Sequence, residues 1–576
     1  MRILLLTHSF NSLTQRLFAE LREDGHEVSV EFDIADSVAE EAVALFAPDV
    51  IVAPFLKRAV PESIWRRHLT LIVHPGIVGD RGPSALDWAI LNGEAEWGVT
   101  VLQAEAQMDA GPIWATREFP MRAAPKASIY RNEVCEGALA AVREALSQVA
   151  DWRAGAWAPT ALAAWPAARG QWRALIRQTD RRIDWSADTT ATVLAKIRAA
   201  DGFPGVADAL FGEPCHLFDA QPGTAPAGTM PGEVLGRREG AIRRATVDGA
   251  VWIGHVKRSG SDHPFKLPAT LAFADETAAL PVLTGDAEAA EIGYRESDDG
   301  AVGFLRFDFT NGAMSTVQCE RLRDAIETAG ARPTRVLVLE GGRDFWSNGI
   351  HLNVIEAAES PSDESWANIN AMNDVCLALL TLTDKLTVAA MRGNAGAGGC
   401  FLALAADEVW AREGVVMNPH YKNMGNLFGS EYWSYLLPRR VGAEVGRQIM
   451  GDRLPLLARK AVALGLIDAC FGATPAAFAA EVARRATALA ADSTLAARIA
   501  DKQASRAADE ATKPLAEYRA EELRHMQRNF YGFDPSYHVA RFHFVIKSPQ
   551  SWTPRHLARH RDLGWQAPAA KESAVT

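Results

Sequence analysis

The sequence is first defined by what it lacks. No uninterrupted apolar stretch approaches the roughly 20 residues that cross a bilayer, so a membrane protein is not expected. The opening MRILLLTHSFNS has only Ile3 to Leu6 as an apolar core, too short for a signal peptide, and reads as a first buried strand. Cysteine is scarce, with 6 in 576 residues, and no two cysteines form a C-x-x-C pair. A zinc site or disulfide scaffold is therefore not expected, and a reduced, cytoplasmic setting is the default. Basic excess is lacking too: Lys+Arg 60 against Asp+Glu 71 leaves −11, which argues against a nucleic-acid partner. No G-x-G-x-x-G follows the first strand, so a nicotinamide cofactor is not indicated.

What is present is a folded chain. Hydrophobic residues make up 48% and charged residues 23%. At roughly 150 residues per domain the length suggests about four domains. Residues 2–6, 27–32, 49–54 and 71–74 read as short strands, and Asn11 to Glu23 as a helix. This alternation predicts an α/β, Rossmann-like domain over 1–150, with active groups at the carboxyl ends of strands. Residues 151–170, rich in Ala, Trp and Pro, read as a linker. Leu210 to Phe218, Gly232 to Arg237 and Ala250 to Val256 predict a small β-barrel over 171–275, of the OB-like kind. Residues 276–300 are acidic and read as a loop-like boundary. Strand–helix alternation returns over 300–480, and 481–576 reads as a helical extension whose charged stretch AEYRAEELRHMQRNF is expected to face solvent.

The densest chemistry lies in LIVHPGIVGDRGPSALDWAILNG (Leu71 to Gly93) and MDAGPI (Met108 to Ile113). His74 ends a buried strand and Asp109 precedes a tight turn. Together they can polarise a carbonyl and move a proton. Each alone fits a structural role better, a His capping a strand and an ordinary Asp turn. The combination H-P-x…R-G-P…WAI-x-N-G, then D-x-G, resembles the 10-formyltetrahydrofolate-dependent formyltransferases. The likeness continues through Arg182 to Ser186 and Gly202 to Gly205, which resemble the β-barrel domain of the methionyl-tRNA enzymes. It implies that His74 polarises the formyl group, that Asp109 assists proton transfer, and that Leu56, Lys57 and Arg58 contact the pterin. The family carries an Asn two residues before the His. Here that position is Ile72, and losing one oxyanion donor costs about 10²–10³ in rate. A thiol acceptor is one way to reconcile the loss, because a thiol ionises more easily than an amine.

A second constellation comprises FWSNGIHL (Phe345 to Leu352) and MRGNAGAGGCFLAL (Met391 to Leu404), each following a strand. Glycine-dense turns present free backbone N–H groups. The pair resembles the enoyl-CoA hydratase/isomerase (crotonase) superfamily. That resemblance implies an oxyanion hole from the amides of Ile350 and Gly398, with Asn311, Gly349 and Gly399 lining a coenzyme A site. The positions matching the two hydratase glutamates are Phe401 and His420, so hydration is not implied. His420 and Tyr421 remain as proton carriers, with Glu431 and Tyr432 weaker candidates.

Over its whole length, DRGPS (Asp80 to Ser84), FTNGAMS (Phe309 to Ser315) and FYGFDPSYHVARFHFVIKSP included, the chain resembles a family of [NiFe]-hydrogenase maturation factors. The resemblance implies transfer of a formyl group from 10-formyltetrahydrofolate to coenzyme A, then decarbonylation of formyl-CoA to CO for the hydrogenase iron. It also implies small-molecule substrates, with hydrogenase maturation proteins or the hydrogenase large subunit as partners. Two other readings stay open: a formyltransferase acting on an amine, and a non-catalytic assembly protein.

Overall fold

The structure, a computed structural model, describes residues 1–165, 168–284, 290–562 and 564–565. The chain forms two compact units. One comprises residues 1–256, 268–282 and 549–576, the other 257–267 and 283–548.

The first unit opens with six strands: β1 (Arg2–Thr7), β2 (Glu27–Phe32), β3 (Val50–Phe55), β4 (Thr70–His74), β5 (Glu96–Gln103) and β6 (Ile113–Pro120). Their order is β2-β1-β3-β4-β5-β6; the first four run parallel, and β5 runs antiparallel to its neighbours β4 and β6. Three of the parallel strands, β1, β3 and β4, are near-continuous apolar runs, as strands of a sheet buried on both faces are, whereas β2 at the edge alternates. The first crossover helix, Ser12–Glu23, is capped by Asn11, whose side chain accepts from the Thr14 N–H. The parallel strands end together at Thr7, Phe55 and His74, which places His74 at the carboxyl edge.

The small β domain follows, with β7 (Val206–Leu210), β8 (Glu213–Gly223), β9 (Val234–Arg238), β10 (Ala241–Ala245) and β11 (Ala250–Arg258), ordered β7-β8-β11-β10-β9, and a short β12 (Leu267–Pro268) beside β11. The sequence reading ran one strand through Leu210 to Phe218. The chain instead turns at Phe211 and Gly212, both at positive φ, as a two-residue hairpin requires. The alternating apolar pattern on either side hid that turn.

In the second unit the main sheet comprises β13 (Ile292–Glu296), β14 (Val302–Phe307), β16 (Val336–Glu340), β19 (Leu386–Met391), β21 (Glu408–Arg412) and β24 (Ala469–Phe471), in that order, all parallel except β13. Residues 285–289 of the acidic 276–300 stretch lie outside the described residues. Within the rest, Ile292–Glu296 is an edge strand rather than loop, because its backbone pairs with Gly303 to Phe307. Two small sheets carry the glycine turns: β15 (Ala313–Met314) with β18 (Gly349–Ile350), and β17 (Phe345–Ser347), β20 (Asn394–Gly396), β22 (Val416–Asn418) and β23 (Leu456–Leu457).

Residues beyond 480 do not form a separate extension. The helix Leu515–Tyr531 exposes Glu517, Arg524 and Arg528 on the expected solvated face, while its other face buries Leu515, Glu522, Met526 and Phe530 in the core of the second unit. Residues 549–562 belong to the first unit, where they close the open edge of β2: the Val30 and Phe32 N–H groups donate to the Leu557 carbonyl and the Thr553 hydroxyl. Residues 563 and 566–576 of the predicted extension lie outside the described residues.

This edge holds a buried carboxylate. Glu31 accepts from His560 Nε2 at 2.8 Å, from Arg561 Nε at 2.6 Å and from the Thr553 hydroxyl, while Ser29 meets His560 Nδ1 at 2.7 Å. Burial alone would raise the Glu31 carboxyl. The bonds from His560, Thr553 and Arg561 outweigh burial and hold it below the ordinary range. A depressed carboxyl contributes stability above its unfolded value and loses it as pH falls through the folded one. Protection of the Val30 and Phe32 amides against exchange, relative to the unfolded chain at the same pH, is therefore expected to fall below about pH 4. His560→Ala, which removes one partner of a buried charge, should cost about 3 kcal/mol in urea unfolding.

Candidate active sites

His74 is held between two carboxylates. Its Nε2 lies 2.9 Å from Asp80 Oδ2 and its Nδ1 lies 3.6 Å from Asp109 Oδ2. Asp109 sits at φ 52, and its Oδ2 accepts the Gly82 N–H at 3.1 Å. The turn from His74 to Asp80 needs its glycine, since a Cβ on Gly76 would lie 2.4 Å from His74 Nε2. The other oxygen of Asp80 accepts from Arg173 Nε at 3.2 Å. Arg173 comes from just beyond the stretch read as a linker. Gly170, the last residue of that stretch, lies so close to the backbone of Gly79 and Asp80 that no Cβ fits. Ile72 shares a strand face with His74, two residues away, so an apolar side chain stands where the formyltransferases place an amide. The loop after β3 is tied to the end of β2: the Lys57 N–H donates to Asp33 at 3.2 Å and Arg58 pairs with Asp36 at 2.6 Å, while Leu56 packs on the core.

The second site forms where β18 meets the helix Gly398–Leu404. Gly349, at φ 80, lies against Gly398, and a Cβ on it would meet the Gly398 nitrogen at 3.4 Å. Gly398 opens its helix, so its N–H has no acceptor within the helix. Ile350 follows Gly349 and pairs with Met314. The side chain lying against Gly398 is Glu431, with Oε1 2.1 Å from where a Cβ would stand. Glu431 Oε2 accepts from the Tyr421 hydroxyl at 2.6 Å. Phe401, in the position of the first hydratase glutamate, stacks on Tyr421 with centroids 5.5 Å apart and planes 13° apart. Burial pushes the Glu431 carboxyl up to about 8, against the pull of the Tyr421 hydrogen bond. Burial, then Glu431 itself, pushes the Tyr421 phenol well above its usual value, so it remains a donor.

His420 is buried on the same loop, its backbone N–H bonded to the Asn418 carbonyl. Tyr432 is the N-cap residue of the helix Trp433–Asp452. Gly399 packs against β17, where a Cβ would lie 2.0 Å from the Ser347 carbonyl oxygen. Asn311 sits at φ 58 in the turn Thr310–Gly312, and its carbonyl accepts from Asn348 at 2.7 Å.

Sequence reasoning passed over Asp80 and Arg173, ranked Glu431 low, and missed Asn373 and Glu522. Asn373 Oδ1 accepts from the Glu431 N–H at 2.7 Å and from the Ser430 hydroxyl at 2.9 Å. Glu522 accepts from the Tyr432 and Ser434 N–H groups at 3.0 and 2.8 Å. These bonds hold Glu431 and Tyr432 at φ 60 and 57, a strained arrangement that needs such support. One signal was available: Glu522 falls on the stripe of Leu515, Met526 and Phe530, where a lone carboxylate is unusual.

Comparison with known proteins agrees with this division. The Formyl transferase model matches residues 1–146, the Formyl transferase C-terminal domain model 175–263 and the Enoyl-CoA hydratase/isomerase model 305–540. Hydrogenase maturation factor HoxX of Bradyrhizobium diazoefficiens is 57% identical over 561 residues, 97% of each chain. The chain belongs to the HoxX/HypX family of hydrogenase maturation factors. The crystal structure of HypX from Aquifex aeolicus in complex with tetrahydrofolic acid is 47% identical, with TM-score 0.93 over 98% of this chain and 100% of that one. Methionyl-tRNA formyltransferase of Roseiflexus castenholzii is 32% identical over 239 residues, 39% of this chain and 71% of that protein. The HoxX/HypX architecture of this chain thus joins a formyltransferase to a crotonase-like domain. Among the described residues no helix is long and apolar enough to cross a membrane.

Proposed function

We propose that the chain is a two-step CO-forming enzyme of hydrogenase maturation, acting in the cytoplasm. The His74–Asp109 site moves the formyl group of 10-formyltetrahydrofolate to the thiol of coenzyme A, with Leu56, Lys57 and Arg58 lining the folate pocket. The crotonase-like site then splits formyl-CoA into CO and coenzyme A. The observation that carries this reading is the Tyr421–Glu431 pair against Gly398. Hydration needs two carboxyl groups around the substrate, whereas decarbonylation needs a held carbonyl and one group that takes and returns a proton. The amides of Ile350 and Gly398 hold the carbonyl. Glu431 takes the formyl proton as the C–S bond breaks, CO leaves, and the proton passes to the thiolate sulfur. Tyr421 holds the carboxylate in place. The CO is destined for the hydrogenase iron, which makes the hydrogenase large subunit or its maturation proteins the expected partners.

The test mixes purified protein with 10-formyltetrahydrofolate, with and without coenzyme A, and reads CO by the absorbance of a haem protein. CO that depends on coenzyme A is expected. Consumption of the formyl donor without CO would confine the activity to the first site.

A further inference from the structure

We propose that Asp80, clamped by Arg173, is the positioning residue that makes Nδ1 of His74 the proton acceptor for a thiol at the formyl-transfer site. The inference rests on the formyl-transfer reading above and adds how a thiol acceptor is activated there. Asp80 is 1% exposed and turned inward, with one oxygen on His74 Nε2 at 2.9 Å and the other on Arg173 Nε at 3.2 Å. A carboxylate paired with a guanidinium only accepts, so Nε2 must donate to it. In the neutral ring the lone pair then falls on Nδ1. That atom faces Asp109, 3.6 Å away, whose carboxylate is pinned by the Gly82 N–H. The arrangement follows the logic of a carboxylate, an imidazole and a nucleophile in line, in which the carboxylate fixes ring orientation and tautomer.

The chemistry of the acceptor makes this setting matter. An amine attacks as the neutral molecule and sheds its proton afterwards. A thiol attacks as thiolate, so a base must be ready beforehand. Ile72 leaves the site without the usual amide donor, so the base carries more of the task. In the step itself the S–H proton passes to Nδ1 and sulfur bonds to the formyl carbon. The bond from that carbon to N10 of the folate breaks, and the proton on Nδ1 moves to N10. The products are a formyl thioester and tetrahydrofolate. The charged groups around the ring are Asp80 and Asp109 directly, Arg173 behind Asp80, and Glu94, which lies 3.4 Å from Arg173 Nη2.

The experiment measures CoA-dependent consumption of 10-formyltetrahydrofolate between pH 6.5 and 9.5. Asp80→Asn keeps the size of the side chain but leaves the ring free to hold the wrong tautomer. A loss of about 10²–10⁴-fold is expected at pH 7. It should shrink to under about tenfold at the alkaline end, where a growing fraction of the thiol ionises unaided. Asp80→Glu should recover part of the rate, and tetrahydrofolate affinity should stay the same. A loss of equal size at every pH, or no loss, overturns the proposal. If Asp80→Asn unfolds, Arg173→Lys replaces it, with a smaller loss of the same pH dependence expected; a pH-independent loss again overturns the proposal. No consumption by the unaltered protein takes down the formyl-transfer reading itself, and this inference with it.

Discussion

Glu431→Gln is expected to abolish CO release from supplied formyl-CoA while formyl transfer continues. Glutamine preserves the shape of the side chain and accepts the Tyr421 hydrogen bond, but it cannot take a proton. Loss of a general base costs about 10²–10⁴ in rate. The carboxyl that burial raises to about 8 is a stronger base than an ordinary glutamate, as removal of a proton from carbon requires. Its ionised fraction grows as pH rises towards that value, so the rate should climb about tenfold per pH unit below 8 and level above it. Tyr421→Phe should shift this profile to higher pH, because it removes the donor that pulls the carboxyl down. CO release by Glu431→Gln at the unaltered rate would exclude the residue from the chemistry.

Gly398→Ala and Gly399→Ala are expected to fail in different ways, although they adjoin. The Cβ added at Gly398 meets the tip of a side chain, Glu431 Oε1 at 2.1 Å. The carboxylate can swing away, so the protein should fold with little loss of melting temperature while CO release falls about 10²-fold or more. The Cβ added at Gly399 meets backbone, the Ser347 carbonyl oxygen and carbon at 2.0 and 2.4 Å. Strand β17 would have to move, which costs several kcal/mol as overpacking of a core does. Thermal unfolding together with CO release separates the two outcomes. Full CO release by Gly398→Ala would show that Glu431 does not act from this position.

Resemblance to the crotonase superfamily singled out Ile350, Gly398 and Tyr421, whereas local pattern was enough to find the parallel strands, the two glycine-dense turns, and His74 and Asp109 as candidates. These carry local signals: an apolar run of fixed length, a glycine-dense turn after a strand, a His beside Pro-Gly. What failed to show locally was whatever depends on chain separation. Arg173 reaches Asp80 across 93 residues, and Glu522 caps the Ser430 to Ser434 turn from about 90 residues away. Residues 553–561 close an edge strand more than 520 positions earlier in the chain.

The sequence by itself therefore determined the class of each domain and the chemistry each can attempt, since strand period, turn residues and the reactive side chains are properties of short segments. The tertiary structure alone decided how each carboxylate is charged. Burial raises the Glu431 carboxyl to about 8, and ties to His560, Thr553 and Arg561 hold the Glu31 carboxyl below its ordinary range. Two glutamates that read alike in the chain differ because free energies of charge depend on surroundings that only folding assembles.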